Sequence, residues 1–247
     1  MKKRLPLTFF SFLLVACSAF SQSDMQDTAF YHASLDNAIG LYYKTIGENA
    51  HLYNGSEYML DGAYEKDDTK NLYFLSIFLD KGSVFYDGAQ YDNIPMSYDI
   101  LHDDLITTRY NQIYRIRLNA DKVERFIFAG HEFVHIADDS AHHLPFGTGY
   151  YEKLYDGKTR VLAKRKKILE QRYAGGAAIS NYLENDHYYI LKNDVYNPVS
   201  TKKSVLNLFK DHKKEMKKYF RKNKVKFSPR PEFGIVRAAA YYDQIKN

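Results

Sequence analysis

The chain has no tryptophan and a single cysteine, Cys17, among 247 residues. One thiol makes no intrachain disulfide, so no disulfide framework staples the fold, and no cysteine-based zinc or iron–sulfur centre can form. Glycine (13) and proline (6) are sparse beside 45% hydrophobic and 26% charged residues, a balance that excludes collagenous, disordered and multi-span membrane chains. Functional signatures are missing too: there is no G-x-S-x-G elbow, Walker loop, dinucleotide fingerprint or EF-hand spacing. What the chain has in quantity is rings. Twenty-three Tyr and sixteen Phe suit half-buried pleated surfaces and predict a β-rich fold. The length suffices for one large domain or two small ones with a proper core.

Three positive charges in Met1 to Arg4, an apolar run from Leu5 to Ala16 and small residues beyond form the layout of a bacterial secretory signal, residues 1–21. The run is too short to span a bilayer as a permanent helix. Two cleavage sites compete. Ala19-Phe20-Ser21 suits ordinary signal peptidase, with cleavage after Ser21; Leu14-Val15-Ala16-Cys17 resembles a lipobox, with cleavage before Cys17 and lipidation of its thiol. Either way the chain is exported to the cell envelope, in the periplasm or at the outer membrane.

Charge is divided along the mature chain. Residues 201–247 hold fourteen Lys/Arg against four Asp/Glu, whereas residues 24–200 hold eighteen against twenty-six. A basic tail region on an acidic body predicts that the tail docks on the body. Its outward face would meet an envelope protein partner or an anionic membrane surface. No helix-turn-helix, RNP-like or zinc-finger spacing accompanies the basic residues, which argues against nucleic acid.

Ser34 is placed to cap a helix in which Leu35, Ala38, Ile39, Tyr42 and Ile46 recur at helical spacing, with Gly47 as a stop. From Tyr73 to Ile136, short aromatic and β-branched runs are punctuated by Asp80-Lys81-Gly82, Asp87-Gly88, Asp92-Asn93, His102-Asp103-Asp104, Asn119-Ala120-Asp121 and Gly130. That rhythm reads as an antiparallel meander. Tyr155-Asp156-Gly157-Lys158 and Asn193-Asp194 read as further hairpin turns, Pro198 as the end of a strand, and Lys166 to Asn185, with Gly175-Gly176 at its centre, as a mobile connection. Beyond Ser200 the period becomes helical: Val205, Leu208, Phe209, Met216, Tyr219 and Phe220 line one stripe of a helix from about Lys202 to Asn223, and a last helix follows through Ile235, Ala238, Ala239, Tyr242 and Ile245.

His131-Glu132-Phe133-Val134-His135 is a literal H-E-x-x-H, in which two His one helical turn apart would bind zinc and the Glu would activate water. A helix is required for that chemistry. Gly130, the β-forming runs Phe126-Ile127-Phe128 and Phe133-Val134-His135-Ile136, and a third ligand, His142, standing one position late for a metzincin all favour a strand instead. On a strand His131 and His135 share a face with Phe133 between them, while Glu132 points away. His142 and His143 would at most complete an adventitious metal site. The acidic doublets Asp67-Asp68, Asp103-Asp104 and Asp138-Asp139 read as solvated turns rather than catalytic pairs. No catalytic residue and no cofactor is assigned.

Tyr53-Asn54-Gly55-Ser56-Glu57-Tyr58, Gly82-Ser83-Val84-Phe85-Tyr86-Asp87-Gly88, Gly130-His131 with Phe133-Val134, Tyr151 to Gly157, and Leu162-Ala163-Lys164-Arg165 together resemble a large family of exported proteins of Bacteroidota-type bacteria. The likeness runs over nearly the whole mature chain from Leu52, although Lys66 to Leu79 departs from the family pattern. It implies no activity and transfers no catalytic residue. It does imply that the stretch matching Gly130 to Ile136 is a strand with a variable residue at Glu132.

The expected architecture is α+β and β-dominated: one exported domain, 24–247, mainly β over 24–200 and helical over 201–247. Its antiparallel meander would form a curved sheet or partly closed barrel, with an N-terminal helix and two or three C-terminal helices. The expected role is binding or scaffolding without catalysis, as an accessory of an outer-membrane complex. Two alternatives are a zinc-dependent hydrolase using His131, Glu132, His135 and His142, and a carrier of lipids or other small molecules.

Overall fold

The computed structural model describes ten positions between 30 and 45, and residues 51–59, 71–76, 78–109, 114–137, 147–174 and 177–245. Cys17, Asp67-Asp68, Asp138-Asp139, His142 and His143 lie outside the described residues. The ten N-terminal positions are helical and exposed, and Ser34 stands inside that helix rather than ahead of it as a cap.

Eleven strands form one antiparallel sheet: β1 (Ser56–Glu57), β2 (Asp80–Tyr86), β3 (Ala89–Asp99), β4 (Asp104–Thr108), β5 (Arg115–Arg117), β6 (Val123–Phe128), β7 (His131–Ile136), β8 (Gly149–Asp156), β9 (Arg160–Lys164), β12 (His187–Lys192) and β13 (Val195–Val199). Their order is β1-β5-β4-β3-β2-β6-β7-β8-β9-β12-β13, so the sheet is open, with β1 and β13 at its edges. A separate two-stranded hairpin joins β10 (Lys167–Ala174) to β11 (Ala177–Glu184). The helices are α1 (Lys202–Leu208), α2 (Lys213–Lys222) and α3 (Glu232–Ile245). Among the described residues no helix is long and apolar enough to cross a membrane.

The meander forms because its turns are made of residues that tolerate left-handed backbone. Asp87-Gly88 (φ 51° and 79°) and Asn193-Asp194 (φ 53° and 59°) are tight turns whose twist matches that of the strands they join. Two expected turns, however, lie inside strands. Gly82 faces Ile94 while Val84 faces Tyr91, so the extra residues around Asn93 (φ 57°) are absorbed as a bulge between β2 and β3. A Cβ on Gly82 would come within 2.5 Å of the Ile127 carbonyl oxygen, which explains the glycine in mid-strand.

A row of directly opposed residues crosses eight strands on one face: Tyr91, Val84, Phe126, Phe133, Glu152, Ala163, Tyr188 and Val199. All are buried. Over β3 to β8 this face covers itself. Tyr98 on β3 and Tyr150 on β8 are four strands apart, ~19 Å in a flat sheet at the usual strand spacing. Their ring centroids are 5.8 Å apart, so the sheet rolls until its own rings meet. Phe126 stacks on Phe133 at 4.7 Å, and both pack edge-on against Tyr98. Asp103, expected as a solvated turn, instead draws the two sides of the roll together: its carboxylate accepts from Tyr98 Oη (2.5 Å), the Tyr150 amide (3.2 Å) and Lys164 Nζ (2.5 Å).

Over β9, β12 and β13 the inward residues Val161, Ala163, Tyr188, Ile190 and Val199 are covered by the helices, which contribute Phe209, Met216, Phe220, Ile235 and Tyr242. The single helix expected from Lys202 to Asn223 is broken at Phe209, which leaves helical geometry (φ −96°, ψ 42°) before a 3-10 turn at Lys210–His212. The break delivers Asp211 to Lys192 Nζ (3.0 Å) and Tyr242 Oη (2.5 Å). α1 starts on a capping box between Thr201 and Ser204. α3 is locked at its far end, where Asp243 accepts from the Thr159 amide and hydroxyl and from Tyr155 Oη. Pro198 does not end β13 but lies within it, and this edge strand tolerates the missing N–H.

Lys166 to Asn185 is also a correction. The register runs without interruption from Lys167 opposite Glu184 to Ala174 opposite Ala177, so the stretch is a hairpin with eight-residue arms where a mobile connection was expected.

Candidate functional site

The H-E-x-x-H segment is strand β7. A helix cannot pass through Ala129 (φ 51°) and Gly130 (φ 81°), which make the β6–β7 turn. Strand alternation places His131, Phe133 and His135 toward the rolled interior. Glu132 projects from the other side, where Lys153 Nζ contacts it at 2.9 Å. Phe133 is fully buried between the two histidines. The three motif residues are therefore not brought together on one site. Among the described residues no group of three or more His, Cys, Asp or Glu is placed to hold a metal.

Each histidine has its own setting. His131 Nδ1 lies 2.5 Å from Glu152 Oε1, and the ring meets Phe74 edge-on at 5.1 Å. His135 packs beside Tyr150 at 5.4 Å. Its Nε2 is buried without a hydrogen-bond partner among the described residues, and burial lowers its pKa.

The concentrated chemistry lies two strands away, around Arg165 just past the end of β9. This side chain is 8% exposed. All three guanidinium nitrogens face carboxylates: Nε to Glu152 Oε2 (2.5 Å), Nη1 to Asp186 Oδ2 (2.6 Å) and Nη2 to Glu232 Oε2 (2.7 Å). Burial works against the charge, but the attraction of Glu152 and Asp186 prevails and the pKa is raised. The rings of Phe74 and Tyr188 flank the guanidinium at 5.9 and 6.0 Å. Glu152 is the one charged member of the buried row, and it stands where the self-covered part of the sheet gives way to the helix-covered part. Glu232 begins α3, and Asp186 lies between the hairpin and β12. One guanidinium thus ties the roll, the hairpin base and the last helix together.

A cavity of ≈ 310 Å³ opens beside this cluster, with Phe74, Leu75, Lys167, Arg230 and Phe233 in its wall. Lys167 Nζ donates to Asn71 O (2.9 Å) and Tyr73 O (3.0 Å). Lys164, two strand positions from Ala163's neighbour Leu162, faces Asp103; burial lowers its pKa despite that carboxylate. Three of the four consecutive cations Lys164 to Lys167 are buried. Nothing but the run of four basic residues after an apolar strand marked them in the sequence, and such a run reads first as a solvated end.

The second chemically distinct surface is basic. Lys210, Lys213, Lys214, Lys217, Lys218, Arg221 and Lys222 are all exposed, whereas Val205, Phe209, Met216 and Phe220 are buried. The two faces of the helical region are segregated as the periodicity predicts. Compared with protein-family models, curated proteins and solved structures, the chain matches none.

Proposed function

We propose that the protein is a non-enzymatic binding protein of the cell envelope whose C-terminal helices present a cationic face to an anionic membrane surface. One observation carries this reading: seven exposed Lys/Arg side chains spread over α2 and the turn before it, none in an ion pair with a described carboxylate. Six of the seven are lysines, compact hydrated charges that suit diffuse attraction to a charged surface better than the geometry-specific forks of arginine. Each such charge contributes about 1 kcal/mol near an anionic bilayer and is screened by salt. The signal layout of residues 1–21 and the likeness to exported Bacteroidota proteins support an envelope location, with Cys17 as the lipidation site if the lipobox is used. The contacting rings that fill the roll support binding at the surface over carriage of a ligand inside it.

Vesicle co-sedimentation tests the reading. Vesicles containing phosphatidylglycerol should retain the purified protein, zwitterionic vesicles should not, and raised salt should release it. Lys213→Glu with Lys217→Glu should weaken retention with no change in thermal midpoint. Equal retention on both vesicle types, or none on either, would overturn the proposal.

A further inference from the structure

The β10–β11 hairpin leaves the body as a two-stranded ribbon. Among the described residues neither strand pairs with a third; the Lys167 amide at the base donates to Ile100 O (3.1 Å), and beyond it the outer edges carry backbone donors and acceptors with no described strand beside them. Tyr182 packs on the cluster of Tyr58, Leu72 and Tyr73, but other apolar side chains are exposed: Ile168 (42%), Leu169 (43%) and Tyr173 (83%) on β10, and Leu183 (39%) on β11. A two-stranded ribbon is marginal in water by itself. These features call for a strand partner but do not by themselves choose one.

The charges on β10 choose. Glu170, half-buried, and Arg172, exposed, lie two positions apart on the same face, with the carboxylate and guanidinium 2.9 Å apart. Consider β10 set antiparallel against β10 of a second copy about a two-fold axis perpendicular to the ribbon. Opposed residues must then share a face, so the axis passes through a residue position and not between residues. With the axis at Gln171, Glu170 faces Arg172 of the second copy twice, and Leu169 faces Tyr173 twice. Moving the axis to Glu170 or to Arg172 sets like charges opposite each other at the centre, which is destabilising. One register is thus favoured and its nearest rivals are penalised. The β11 edge, with Glu184 as its only charged residue, carries no such code.

We propose that the protein self-associates through the outer edge of β10, two hairpins joining into a four-stranded antiparallel sheet centred on Gln171. The partner is a second copy of this chain, and the interaction is independent of the cationic helical face.

Sedimentation of the purified chain over a wide concentration range tests this. The wild-type chain should show a reversible monomer–dimer equilibrium. Glu170→Arg and Arg172→Glu should each weaken it by about tenfold or more, because each sets two like-charge pairs across the axis. Both residues are surface positions, so circular dichroism should be unchanged. Mixing the two variants should restore association as a heterodimer, since every opposed pair is again of opposite sign, and the swap E170R/R172E should restore a homodimer. A wild-type chain that stays monomeric throughout, a dimer indifferent to the single reversals, or a mixture that fails to recover would each overturn the proposal.

Discussion

The two ends of the buried row solve the same problem in different ways. From β3 to β8 the sheet covers its apolar face by rolling, and large rings such as Tyr98, Phe126, Phe133 and Tyr150 fill the space. From β9 to β13 the inward residues Val161, Ala163, Tyr188, Ile190 and Val199 are covered by helices. The strand pairing is equally regular in both parts. What differs is the lid: ring contacts across the roll in one part, helix side chains in the other. Glu152 and Arg165 mark the seam between the two solutions.

The largest effect should come from the helical side. Phe209→Asp places a carboxylate against Tyr242, whose ring stacks on Phe209 at 4.1 Å, and should cost about 4–5 kcal/mol or more. Limited proteolysis should release residues 201–247 while the roll persists, which would show that the roll is stable without the helices. Breaking the seam comes next. Arg165→Leu leaves Glu152, Asp186 and Glu232 without their shared cation and should cost about 3–5 kcal/mol. Calorimetry should then resolve two transitions where the wild type has one; a single transition would mean the two parts are coupled by apolar contact alone. On the rolled side, Phe133→Leu removes ring contacts with Phe126 and Tyr98 and should cost about 1–2 kcal/mol, read as a lower midpoint in denaturant.

A smaller effect is set by pH. Burial would raise the Asp211 pKa, but hydrogen bonds from Tyr242 and Lys192 prevail and lower it to about 2. A depressed carboxylate pKa stabilises above the ordinary value and loses that contribution as pH falls through the folded value. Melting between pH 4 and pH 2 should therefore destabilise the wild type more than Asp211→Asn, which lacks this contribution at every pH. The smallest expected effect is Lys213→Glu with Lys217→Glu, within about 0.5 kcal/mol of wild type. If that pair destabilised the fold like Phe209→Asp, the basic face would be a dock and not a free surface.

The strands at Val123–Phe128 and His131–Ile136 were legible because β-branched and aromatic runs flank a turn residue, and this outweighed a metal-binding spacing. The segregation of the C-terminal helices was legible from their period. Arg165 was not, because both faces of β9 are covered, so alternation there does not distinguish a buried cation from a solvated one. Asp103 looks like any loop aspartate until the roll brings Lys164 and Tyr150 to it. The hairpin at 167–184 was hidden by its mixed faces, although Gly175-Gly176 is a strong two-residue turn signal.

The placement of α3 dictates the order in which the chain can complete itself. Everything needed for the roll has been synthesised once β8 and β9 are made, but the cover for Val161, Ala163 and Ile190 includes Ile235, Ala238 and Tyr242, which follow Ile190 by more than forty residues. During elongation that stretch of sheet waits for its full cover: the chain brings Phe209, Met216 and Phe220 first, and until α3 follows, part of the apolar face stays open to chaperones and wrong partners. A chain lacking α3 would keep that part of the face exposed.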